Sequence, residues 1–166
     1  ILPNPKVISN PKDFIAQQKI LVSIENTVKE MHESVNQMRS AKTQLTTYAK
    51  LLKNNNNANA IIEKGKELSK RINSWEENLI QAKQKTFQDV INFNNKLNAQ
   101  LIQLKSYMDQ ANPKVTNGAK ERFGDLINDW KVYVNERNDI INTEMKAYND
   151  LFKTLAIPAL ILDEKK

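Results

Sequence analysis

The chain has 166 residues, with 25 Lys and Arg against 19 Asp and Glu (net charge +6), one His and no Cys. That length suits one domain with a core and is short for two. The missing Cys excludes disulfides and thiolate chemistry, and no apolar run nears the ~20 residues needed to span a bilayer. Three Gly and five Pro argue against a turn-rich β chain. The modest positive charge is no more than solubility requires. The sequence starts at Ile1 rather than Met and shows no signal-peptide pattern. It therefore reads as a piece of a longer protein.

Residues 1–9 read as an extended lead-in, because Pro3 and Pro5 each disfavour helix at the residue before them. A helix start follows. Asn10 can cap, Pro11 suits the first helical position, and Asp13 meets the positive end of the helix dipole. From there Phe14, Leu21, Val28, Val35, Lys42 and Ala49 recur at steps of seven, interleaved with Gln17, Ile24, Met31, Met38, Leu45 and Leu52. This coiled-coil-like face predicts a first helix of about 40 residues. The Asn-rich segment 53–59 reads as a short helix–helix loop.

A second seam runs Ile61, Gly65, Leu68, Ile72, Trp75, Leu79, Ala82. Gly65 costs ~1 kcal/mol against Ala inside a helix, so a close neighbour is expected there. A third seam is Leu97, Leu101, Leu104, Met108, Ala111, stopped by Pro113 and Gly118, with Thr116 or Asn117 able to cap the next helix. The fourth is Phe123, Ile127, Trp130, Val134, Arg137, Ile141, Glu144, Tyr148, Leu151, Leu155. Pro158 closes it ahead of an apolar tail. Between the second and third seams, "VINFNNK" (90–96) fits neither register. It predicts a break in which Val90, Ile91 and Phe93 turn inward while Asn94 and Asn95 turn the backbone. A ligand or interaction loop built on Val90, Phe93, Asn94 and Asn95 is the competing reading.

Little here carries reaction chemistry. His32 is the only histidine and there is no Cys, so a zinc site would rest on carboxylates alone. No G-x-S-x-G motif occurs, and Gly65, Gly118 and Gly124 are too scattered for a phosphate loop. Asp125 and Asp129 share a helix face, and Glu76 neighbours Glu77, but solvated faces are the default for both pairs. Trp75 and Trp130 fall on seams and read as core. Basic residues such as Lys64, Lys66, Lys70 and Arg71 are spread without interleaved aromatics, so nucleic acid is not an expected partner. No catalytic, cofactor-binding or metal-binding residue and no cofactor is predicted.

Beyond Phe87, the stretch Asp89 to Leu101, the P-x-x-T-x-G of Pro113, Thr116 and Gly118, and the late Tyr148, Asn149, Leu151 and Pro158 carry a resemblance. The chain resembles the C-terminal helical region of large bacterial sortilin-like or BNR-repeat β-propeller proteins, often described as glycosyl-hydrolase-like. "PNPK" (3–6) is similar to the lead-in from such a propeller. Two departures stand out: Asn94 and Asn95 replace the usual prolines after the Phe, and Asn4 replaces the lead-in Asp. No catalytic residue transfers, since this helical region has no catalytic motif to match. The resemblance implies a preceding β-propeller as partner, with another envelope protein as a further candidate, and an extracytoplasmic location (periplasmic, cell-surface or secreted).

The expected fold is all-α, a single helical domain over 10–166: an elongated antiparallel bundle of three long layers, the middle one broken near 88–96. The alternative is a four-helix up-down bundle. In the three-layer form the first and last helices run parallel, and the seam charges Lys42 and Glu144 lie level enough to pair, with Arg137 needing its own partner. The expected function is a non-catalytic module serving as brace or protein-interaction surface. The alternative is an accessory ligand-binding domain of a carbohydrate-active enzyme.

Overall fold

Asn10 sets the first helix in place. Its side-chain oxygen accepts the amides of Lys12 at 2.8 Å and Asp13 at 3.2 Å, and Asp13 accepts the Asn10 amide at 3.1 Å. These reciprocal bonds satisfy amides that a helix start leaves without partners. In the computed structural model, which describes residues 10–157 apart from the side chains of Asn56 and Phe87, helix α1 then runs Pro11–Leu51. α2 is Asn59–Leu79, α3 Leu97–Met108 and α4 Asn117–Asp139. A π-helical segment, Ile140–Met145, joins α4 to α5, Lys146–Thr154. Short 3₁₀ turns occupy Asn56–Ala58 and Phe87–Ile91, and no strand occurs among the described residues. The protein is an all-α helical bundle. The lead-in (1–9), Pro158 and the rest of the tail lie outside the described residues.

Two compact units are distinguished: residues 10–33 with Glu77–Val132, and Ser34–Glu76 with residues 133–157. In the first, the start of α1 packs with α3 and the first part of α4. Gln17 donates to the Met108 carbonyl at 2.6 Å, Lys105 meets Glu25 at 2.9 Å, and Asn98 lies 3.5 Å from His32. Rising numbers on α1 meet falling numbers on α3, so these two are antiparallel. Leu21, Ile24, Met31, Leu97, Leu101, Leu104, Met108, Leu126 and Trp130 form this core. Thr116 caps α4, accepting the Ala119 amide at 3.2 Å.

In the second unit the rest of α1 packs with α2 and with the last part of the chain. Arg39 pairs with Glu76, while a Cβ added at Gly65 would lie 3.7 Å from Leu45. α1 and α2 are therefore antiparallel. Arg137 donates to the Ser34 hydroxyl, and the Tyr48 and Phe152 rings meet edge-on with centroids 4.9 Å apart. Here both sets of numbers rise together, so α1 runs parallel to the final helix. Each unit thus packs three helical segments, with α2 as the second of them in this unit and α3 in the other. The four-helix up-down alternative, which requires antiparallel first and last helices, does not hold.

Several seam positions shift. Phe14 is 49% exposed, Ala82 lies beyond the end of α2, and Ala111 is exposed. In the last helix Ile140 is buried and Ile141 is 40% exposed, the reverse of the heptad reading. The π segment is the cause. Its wider turn takes in an extra residue, so the inward positions run Ile140, Glu144, Tyr148, at steps of four. Gly65 is buried as expected, because a Cβ there would lie 3.3 Å from a Tyr148 ring carbon.

Candidate functional site

The break between α2 and α3 is built by hydrogen bonds rather than by apolar burial. Asp89 accepts the backbone amides of Lys85 at 2.6 Å and Thr86 at 2.8 Å. Those two amides hold its carboxyl below the usual carboxylate range. Its own carbonyl takes the Asn92 and Phe93 amides, each at 3.0 Å, which fixes the 3₁₀ turn. Three glutamines then pin the carbonyls that follow. Gln84 donates to Phe93 at 2.7 Å, Gln81 to Asn94 at 3.2 Å and Gln100 to Asn95 at 3.1 Å. Gln84 also reaches the Asn95 side chain at 3.3 Å.

The expectation that Val90 and Ile91 turn inward is wrong. Val90 is 47% exposed and Ile91 84%, and only Phe93 is half-buried. A 3₁₀ turn places successive side chains about 120° apart, so a turn pinned by Asp89 leaves its apolar pair outside. Asn94 is exposed and Asn95 half-buried. Of the four residues read from sequence, Val90 and Asn94 present their side chains outward, while Phe93 and Asn95 are held partly inside. Ile91, the most exposed apolar side chain of the turn, was not among them. Its only sequence signal is an apolar residue in a stretch that fits no seam.

The charges on the seams find partners, but not each other. Glu76, 9% exposed, accepts Arg39 Nε at 2.9 Å and Nη2 at 2.6 Å on one oxygen, with Lys42 Nζ 3.7 Å from the other. Glu144 meets Arg71 Nε at 3.4 Å, and Arg71 also lies 3.8 Å from Glu136. The expected Lys42–Glu144 pair is therefore replaced by two pairs to α2, which carries an acid opposite Lys42 and a base opposite Glu144. Both tryptophans are core as expected. Trp75 is fully buried and donates to the Tyr133 carbonyl at 2.8 Å; Trp130 is 5% exposed with its ring N–H 3.3 Å from Glu30.

His32, Asp125 and Asp129 are exposed, and no group of three or more His, Cys, Asp or Glu suited to a metal ion occurs among the described residues. No helix among them is long and apolar enough to cross a membrane.

The second unit holds a cavity of about 240 Å³ that sequence reasoning missed. Ala41, Gln44, Leu45 and Tyr48 of α1, Leu68 of α2, Met145 of the π segment, and Tyr148 and Asn149 of α5 line it. Burial, then the neighbouring Tyr48, pushes the Tyr148 phenol above its ordinary value. Tyr148 reads from sequence only as a seam residue, and a cavity leaves no periodic signal. No protein-family model, curated protein or solved structure matches the chain.

Proposed function

We propose that this chain is a non-catalytic helical module that follows a β-propeller in an extracytoplasmic bacterial protein and serves as its brace and protein-docking surface. The observation that supports this reading is the turn Phe87–Ile91, which holds Ile91 84% exposed beside a 47% exposed Val90 on a backbone already fixed by Asp89 and the glutamines. An apolar side chain kept in water on an ordered turn loses little entropy when a partner covers it, and such anchors dominate binding energy. Phe14, Ile15 and Ile102 add large exposed apolar side chains in the same unit. The propeller, the envelope setting and a further envelope partner come from the resemblance carried by residues 89–158.

The carbohydrate reading loses both tryptophans as stacking platforms, since Trp75 and Trp130 are buried, and would have to rest on the exposed ring of Tyr107. The test is an Ile91→Asp variant titrated calorimetrically against the separately produced preceding domain of the parent protein. Unchanged melting with binding weakened by roughly tenfold or more is expected. Equal affinity for variant and wild type would overturn the docking role of the turn.

A further inference from the structure

The cavity of the second unit has a lining that selects its occupant. Ala41, Leu45, Leu68 and Met145 give it apolar walls, and no Asp, Glu, Lys, Arg or His lines it. Tyr48, Tyr148, Gln44 and Asn149 bring hydroxyls and amides, and none of these polar groups is hydrogen-bonded to another described residue. Gln44 and Asn149 are exposed to solvent, and a few polar groups beside apolar walls are the pattern of a ligand pocket, where they orient an apolar body. At about 240 Å³ it exceeds the ~150 Å³ hollow that takes a benzene ring. One or two fused rings would fit.

Two further features bear on it. Met145 ends a π-helical segment, Ile140–Met145, and such interruptions recur at functional sites. Gly65, bare of a side chain, lets Tyr148 seat against α2, since a Cβ there would meet its ring at 3.3 Å and Leu45 at 3.7 Å. The helix accepts a glycine in its interior, and two of the cavity's lining residues occupy the space that results.

We propose that this cavity binds a small, uncharged aromatic molecule bearing one hydroxyl group, of the phenol or naphthol class. The aromatic body packs on Leu45, Leu68 and Met145, and the Tyr148 hydroxyl and the Asn149 amide take the polar substituent. A monosaccharide matches this lining poorly, because several of its hydroxyls would face the apolar walls. An ion is excluded because no opposite charge lines the hollow to offset its desolvation.

The probe is 2-naphthol, added to the full chain carrying ¹³C-methyl methionine; four Met methyls report, and only Met145 lines the cavity. The expected result is a saturable shift of the Met145 signal with the other three unchanged. Ala41→Leu, which fills the hollow, is expected to weaken binding roughly tenfold or more, and Tyr148→Phe by several-fold through loss of one hydrogen bond. If Ala41→Leu fails to fold, contacts between naphthol and the Met145 methyl in the wild type, read by nuclear Overhauser effects, decide the matter. No Met145 shift up to the solubility of the probe, non-saturating shifts of all four methyls, or full affinity in a folded Ala41→Leu would each overturn the proposal. A saturable response to glucose with none to naphthol would overturn the ligand class.

Discussion

A buried carboxylate is the residue that explains most about the second unit. Glu76 sits on α2 at 9% exposure and survives there because Arg39 and Lys42 bring two positive charges from α1. Without both, burial would cost several kcal/mol. Lys42 was legible as an intruder on an apolar face, but its partner was not. Glu76 is off the seam that Ile72, Trp75 and Leu79 define, so sequence gave it no core role. Ser34 was hidden for the same reason: it is buried beside the seam residue Val35 because Arg137 needs an acceptor. Trp130, in contrast, was fully legible, at the meeting of seam spacing and aromatic bulk. Its replacement by Ala removes a side chain 5% exposed and is expected to cost ~3–5 kcal/mol, measured by urea unfolding. A loss below ~1 kcal/mol would mean that the indole stabilises little.

At the scale of elements, helix starts and seams were readable, while departures from helical period were not. Asn10, Pro11 and Asp13 announced α1, and Leu21, Ile24, Met31, Val35, Met38, Leu45 and Leu52 are buried as their spacing requires. The π segment is invisible in residues 140–145, since no residue type demands an extra residue per turn there. The break expected near 88–96 covers only the later part of the gap, which opens after Leu79, and it is misread in direction, because hydropathy says that Val90 and Ile91 want burial and cannot say that Asp89 fixes a turn facing them outward. Asp89 makes that turn testable by pH. Its folded-state value lies below the ordinary 3.8 because the Lys85 and Thr86 amides bond the charged form. The turn's extra stability is therefore present above the ordinary value and lost as the pH falls through the lower folded one. Amide signals of Lys85 and Thr86 in ¹⁵N spectra are expected to move toward unbonded positions on acidification, and an Asp89→Asn variant to lack that titration. Amides that ignore pH down to full protonation of Asp89 would show that the carboxylate does not hold the turn.

For the whole chain, the combined length of the second and third seams against two long helices is what favours parallel first and last helices in the sequence, and within the second unit α1 and the final helix are parallel. The choice was carried by residue counts: α1 has 41 residues, and Asn117–Thr154 runs with only the π segment as interruption. What no count supplied was the level of one helix against another, which is why Lys42 and Glu144 were paired across layers when each meets a charge on α2. Function is less legible still. The proposed docking role rests on how far Val90 and Ile91 stand in solvent, a property of the folded turn rather than of the residue list. The parallel course of α1 and the final helix underlies the charge network and the cavity alike, and spin labels test it directly because the chain has no Cys to remove. Labels on exposed Thr47 and Lys153 should lie close, and Thr47 with exposed Asn135 farther apart by roughly the 27 Å rise of eighteen helical residues. The opposite order, with Asn135 near Thr47 and Lys153 distant, would contradict the fold.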